Sequence, residues 1–209
     1  MQLYSYFRSF AAYRLRIALD LKGVGYEQIT VNLMKGEQQS PEYLAVNRQG
    51  LVPVLKLNDS QLLVQSGAIL DWLDENFPTP ALYPTDSVER AGVRGMCHII
   101  SFDIHPINNL RVLKYLNNEL GISEEQKTQW YQHWIEFGLE ALEAQINATT
   151  YTSCGSVSML DIYLVPQVYN ALRFKQDMAR FPKILVVYNA CNELNIFKKT
   201  APEMQPDAN

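Results

Sequence analysis

The chain has 209 residues, is 47% hydrophobic, and sets 18 Lys and Arg against 22 Asp and Glu, for a formal charge of −4 at pH 7. That length allows one large domain or two small ones. The charge balance speaks against a general nucleic-acid or membrane binder, so an anionic ligand would have to be met by locally placed arginines.

In chain order, Gln2 to Phe7 is short and aromatic-rich, which predicts a strand. Ser9 then opens a helical run to about Lys22, with Ala11, Leu15 and Ala18 on one stripe and Ile17 and Leu21 on another, so the helix should be covered on more than one face. Gly23 fits a helix stop, and Tyr26 to Val31 is the next strand. The polar stretch "MKGEQQSPEYLAVNRQG" holds at most a short helix around Glu42 to Val46. "LVPVLKL" and "QLLVQ" are strands joined by the turn "NDS", and "SGAILDWLDENF" is a helix with Ser66 as its N-cap. The order is β-α-β-α-β-β-α over residues 1–77.

"PTPALYP", residues 78–84, reads as a stiff linker. Strand signals vanish beyond it. Helices are expected over Ser87 to about Asn117, Ser123 to about Ala148 with a capping box from Ser123 to Gln126, Ser158 to about Arg173, and Phe181 to Asn192. The tail "APEMQPDAN" is polar and is expected to be loose. Residues 85–209 thus form an all-helical domain behind a small α/β domain.

Three widely spaced cysteines, Cys97, Cys154 and Cys191, make neither a disulfide framework nor a C-x-x-C zinc site, so no metal is expected. The N-terminus lacks a long apolar signal core, and no window approaches 18 uninterrupted apolar residues. A cytoplasmic, reducing setting is the expectation.

Three places have the residue types for chemistry. Ser9 stands where a helix start leaves N–H groups unpaired and the dipole is positive, a setting that stabilises an anion such as a thiolate; equally, it is a plain N-cap. Pro53 in "LVPVL" cannot donate to a sheet ladder. It marks either an ordinary trans-proline edge or a cis Val52–Pro53 bond beside a backbone open to an extended peptide. Gln65-Ser66 ends a strand and opens a helix, a second mouth suited to a carboxylate or simply a cap.

The succession of these three places resembles the glutathione-binding domain of cytosolic glutathione transferases. "YSYFRS", "RLRIALDLKGV", "PTPALYP", "DIHPINNLRVL", "LVPQV" and "RFKQD" are similar to the zeta class, which includes maleylacetoacetate and maleylpyruvate isomerases. The resemblance implies a thioredoxin-like α/β first domain, an all-α second domain and a homodimer. It implies glutathione as cofactor, met by Ser9, Ala11, Gln39, Val52, Pro53, Gln65, Ser66, His105 and Asn109. It places Ser9 and Arg8 in catalysis, and Arg8, Arg111 and Arg173 against the carboxylates of a small dicarboxylate substrate.

The implied reaction is the cis–trans isomerisation of maleylacetoacetate to fumarylacetoacetate in tyrosine breakdown, by reversible thiolate addition next to a carbonyl. The alternatives are maleylpyruvate isomerisation, general glutathione transfer, or binding without catalysis. The class commonly has Ser-Ser-Cys after the arginine; here the places read Ser9, Phe10 and Ala11, so a second hydroxyl or thiol is missing. Arg48 follows Asn47 where the class usually has proline, and "GSVSMLD" is one residue short, which moves a helix-capping box to Ser158 and Asp161.

Overall fold

The computed structural model describes residues 1–147, 150–152 and 155–208. Cys154 and the expected helix end at Ala148 lie outside them. The chain forms two compact units, Met1–Leu82 with Glu193–Asn209, and Tyr83–Asn192.

In the first unit the expected β-α-β-α-β-β-α order is found. Strands β1 (Gln2–Ser5), β2 (Glu27–Thr30), β3 (Val54–Asn58) and β4 (Gln61–Val64) form one sheet in the order β2-β1-β3-β4. β1 runs parallel to β2 and antiparallel to β3, and β3 pairs antiparallel with β4 across the tight 58–61 turn.

Helix α1 (Phe10–Leu21) is buried at every position from Ala11 to Leu19, as its two apolar stripes require. It ends in a Schellman motif: Val24 N–H reaches Leu19 O at 2.8 Å and Gly23 N–H reaches Asp20 O at 3.1 Å, with Gly23 at φ +64°. The buried Arg16 donates to Ser5 Oγ, Phe7 O and Thr200 O at 3.1–3.2 Å, so its charge is lodged among oxygens rather than left bare. A short helix, α2 (Pro41–Val46), follows a 3-10 turn at Glu37–Gln39. Helix α3 covers Ser66–Asn76. The far ends of α1 and α3 are tied together: Lys22, with a fully buried side chain, donates to Asp74 Oδ1 and to Pro80 O, both at 2.6 Å.

The segment after residue 192 differs from expectation. It is neither loose nor part of the helical unit. Helix α9 (Asn195–Thr200) buries Phe197 completely, Tyr13 Oη donates to Phe197 O, and Lys199 pairs with Asp20 at 2.7 Å. Past it, Pro202 is buried and Asp207 accepts two hydrogen bonds from the first unit. A polar sequence is anchored here by named partners rather than by apolar bulk.

The second unit is helical: α4 (Ser87–His98), α5 (Leu110–Asn118), α6 (Glu124–Gln145), α7 (Met159–Arg173) and α8 (Pro182–Glu193). The single long helix expected from Ser87 is broken by a π-helical stretch, Ile99–Ile104, and by the turn that follows it at Pro106. Gly138 of α6 lies so close to Ile104 of that stretch that a Cβ would collide with it. The Ser123–Gln126 capping box forms as expected. Ser158 N–H donates to Asp161 at 2.7 Å, the expected pair, and burial pushes the Asp161 carboxyl up from its ordinary value. Among the described residues no helix is long and apolar enough to cross a membrane.

Candidate functional site

The sheet register decides which segments of the first unit meet. Tyr4, near the end of β1, is opposite Val54, the first residue of β3, and Val54 is opposite Val64, the last residue of β4. The turn after β1, the loop before β3 and the loop after β4 therefore emerge at the same end of the sheet, in neighbouring strands about 4.8 Å apart. Ser5 pairs with Thr30 at the end of β2, so the loop that carries Gln39 leaves from that end too. Ser9, Gln39, Val52, Pro53, Gln65 and Ser66 are thus brought to one edge although they are scattered over 58 positions of sequence.

At the first helix mouth Ser9 is the N-cap of α1. Its Oγ accepts from Ala12 N–H at 3.2 Å, which uses a lone pair and leaves the hydroxyl proton to donate elsewhere. Ala11 is buried and Phe10 half-buried, with the Arg14 guanidinium 5.8 Å from the Phe10 ring. Neither side chain brings a hydroxyl or thiol, so the supplement to Ser9 from this first turn of α1 is backbone N–H. Arg8 is exposed in the preceding turn, its guanidinium 4.8 Å over the Phe7 ring.

The Val52–Pro53 bond is cis, not the trans edge that the residues alone favour. Among the described residues no backbone–backbone hydrogen bond engages Val52, and β3 begins only at Val54. The loop in front is firmly held: Tyr43 Oη and Asn47 Nδ2 both donate to Leu51 O, at 2.7 and 2.9 Å, and Asn47 Oδ1 accepts from Gln49 N–H at 3.0 Å. Gly50, at φ +61°, lies against the Gln39 side-chain amide, which a Cβ would strike. Gln39 itself is exposed.

The second mouth departs from the expected cap. Gln65, not Ser66, is the N-cap of α3; it sits at φ +70°, ψ 115° and caps no N–H with its side chain. Ser66 is the first helical residue, only 9% exposed, and its hydroxyl has no hydrogen bond among the described residues. A non-glycine residue at positive φ is uncommon and is found where surroundings over-determine it. Here the Gln65 side chain donates to Gln49 Oε1 at 2.8 Å. Gln49 was not singled out in the sequence; the run "NRQG", with an Asn turning back on the backbone two residues on, is the signal that marks its loop.

The other expected residues lie in the second unit. His105 is half-buried at the end of the π-helical stretch, its N–H bonded to Ile100 O at 3.0 Å. Asn109 is the N-cap of α5 and accepts from Arg111 N–H at 3.1 Å. Arg111 is exposed in the first turn of α5. Arg173 is exposed at the end of α7, with its guanidinium 4.9 Å from the Phe174 ring.

A family model described as the glutathione S-transferase N-terminal domain matches residues 3–81. A probable maleylacetoacetate isomerase of Vibrio cholerae is 45% identical over 99% of this chain and 97% of its own. The holo structure of a bacterial maleyl pyruvate isomerase, a glutathione S-transferase of the zeta class, superposes with a TM-score of 0.97 at 44% identity, with both chains fully covered.

The chain belongs to the zeta class of glutathione S-transferases.

Another relative, the maleylacetoacetate isomerase of Anaeromyxobacter dehalogenans, is 38% identical over 100% of this chain and 97% of its own, with a TM-score of 0.88. Its structure holds dicarboxyethyl glutathione and citrate in the active site. The edge described above fits a glutathione tripeptide. A peptide backbone can pair with the unengaged backbone at Val52. A carboxylate suits the uncapped start of α3 beside the Ser66 hydroxyl. A thiolate suits the start of α1, where the Ser9 proton remains to be donated.

Proposed function

We propose that this zeta-class protein is a glutathione-dependent cis–trans isomerase that converts maleylacetoacetate to fumarylacetoacetate. The observation that carries the reading is the Ser9 hydroxyl: its oxygen accepts from Ala12 N–H and its proton is left over at a helix start. Bound glutathione supplies a thiolate that adds reversibly to the double bond at the carbon β to the substrate carbonyl, which leaves a single bond free to rotate and an enolate that collapses to expel the thiolate unchanged.

The chain's own residues have three tasks. Ser9, helped by the N–H of Ala11 and by the α1 dipole, donates to the sulfur and holds it ionised. Val52 and Pro53 align the tripeptide backbone, and Gln39, Gln65 and Ser66 anchor its polar ends, with His105 and Asn109 as further contacts. Arg8, Arg111 and Arg173 hold the substrate carboxylates and offset the negative charge that develops on the carbonyl oxygen. Exposed guanidinium groups over Phe7 and Phe174 keep their donor edges available for such two-point contacts.

Maleylpyruvate isomerisation is the second reading, favoured by the relative that superposes at a TM-score of 0.97. It uses the same sulfur chemistry and differs in what the arginines must span. A homodimer in the cytoplasm, with a small dicarboxylate as substrate and without nucleic-acid or membrane partners, completes the proposal. The net charge of −4 supports the last point.

The test is a steady-state assay of both maleyl acids with glutathione. Conversion of maleylacetoacetate to the trans product at constant total thiol is expected. Thiol loss to an electrophile without isomerisation would replace the reading with plain transfer. Glutathione failing to raise the melting temperature would leave only the scaffold.

A further inference from the structure

The turn that carries Arg8 and Ser9 is held from a point 200 residues away. Asp207 Oδ2 accepts from Phe7 N–H at 2.9 Å, and its Oδ1 accepts from Gln28 Nε2 at 3.2 Å, so one carboxylate spans the β1–α1 turn and strand β2. The same turn is held a second time by Arg16, which donates to Phe7 O and to Thr200 O at 3.1 Å each. Both peptide groups of Phe7 are therefore engaged by charged side chains, and the turn closes through Ser9 N–H to Tyr6 O at 2.9 Å. The segment bearing Asp207 is itself fixed: Gln205 Nε2 donates to Ala201 O at 2.9 Å, Ala208 N–H to Gln205 O at 3.0 Å, and Pro202 is buried.

We propose that Asp207 is a positioning residue for the thiol-activating turn, acting through the Phe7 peptide to fix the Arg8 backbone and the Ser9 hydroxyl. The inference rests on the role given to Ser9 above. A carboxylate accepting from a backbone N–H makes a charge-assisted bond that holds its partner more tightly than a neutral acceptor does. Phe7 is two residues from Ser9, so slack at Phe7 is passed to the hydroxyl over a short stretch of chain. Displacement of a reacting group by about 1 Å costs on the order of 100-fold in rate. The two acceptor roles also make the charge hard to replace. An asparagine offers one oxygen and one NH2, so Asp207→Asn satisfies one donor and sets the other against an N–H.

The test compares Asp207→Ala, Asp207→Asn and Gln28→Ala, which removes the second hydrogen bond to the carboxylate and leaves the bond to Phe7 N–H in place. Each is measured well below its melting temperature for isomerisation kinetics, for glutathione Kd by calorimetry, and for amide exchange at residues 7–10. Asp207→Ala is expected to lose about 10-fold in kcat/KM, to weaken glutathione binding about threefold, and to speed exchange in the turn. Asp207→Asn should lie in between, and Gln28→Ala, which keeps the Asp207 charge on Phe7 N–H, should show the smallest loss of the three. Where Asp207→Ala does not fold, Asp207→Asn carries the same comparison. Parent-like kinetics, Kd and exchange in the folded variants would overturn the proposal, as would a fall in melting temperature alone. If the parent itself does not isomerise, the reading of the previous section fails, and the Kd and exchange measurements still decide the part played by Asp207.

Discussion

The two helix mouths at the edge of the sheet are built on opposite plans. At α1 the cap is made internally, by Ser9 on Ala12, and what remains is the Ser9 hydroxyl proton together with the N–H groups of the first turn. At α3 no side chain caps the first turn among the described residues; Gln65 sits at φ +70° with its side chain bonded to Gln49, and a buried Ser66 hydroxyl stands inside the helix start. The difference teaches what each mouth is fitted for. A capped helix start that offers a side-chain hydroxyl beside a backbone N–H polarises a single atom, such as sulfur. An open start, with several N–H groups converging, anchors a whole carboxylate.

Breaking what the two mouths share should have the largest effect. Lys22 and Asp74 join the far ends of α1 and α3. Asp74→Ala leaves a buried ammonium without its partner and should lower stability by about 3 kcal/mol, visible in chemical denaturation, with both mouths weakened together. Ser9→Ala should separate them. Loss of a hydrogen bond to a charged group is worth about 1.5–3 kcal/mol, so kcat should fall roughly 10- to 100-fold while glutathione affinity changes little. The same substitution removes an N-cap and should cost about 1 kcal/mol of stability. Ser66→Ala should give the converse: Kd for glutathione rises about tenfold, near 1.4 kcal/mol, with kcat at saturation almost unmoved. If Ser66→Ala lowers kcat as much as Ser9→Ala does, the division of labour between the mouths is wrong. Gln49→Ala should be mildest, raising the glutathione KM about two- to threefold as the Gln65 side chain loses the partner that orients it.

Much of this arrangement could be read in the sequence because it depends on local rules. The Ser9 cap, the Gly23 stop, the 58–61 turn and the Ser123–Gln126 capping box each follow from residue types within a few positions, and the structure has all of them, as it has the Ser158–Asp161 box that the resemblance implies. What escaped depends on distant partners. The tail looked loose because its composition is polar, yet Phe7, Gln28 and Arg16 hold it with specific hydrogen bonds. Ser66 looked like the cap because serine prefers that place. Gln65 takes it instead, with its side chain on Gln49, 16 residues back, and no propensity for glutamine at positive φ announces this. The expected helix from Ser87 breaks at Ile99–Ile104, in an apolar run where periodicity cannot distinguish a π-helical stretch from an α-helix.

The most direct measurement is a pH titration of the sulfur of glutathione bound to this chain, followed by the ultraviolet absorbance of the thiolate in the parent and in Ser9→Ala. A thiol near about 8.5 when free should titrate at least one unit lower when bound to the parent and move back up in Ser9→Ala. A midpoint at or above the free value in the parent, or the same midpoint in both proteins, would contradict the assignment of thiolate stabilisation to the first helix mouth.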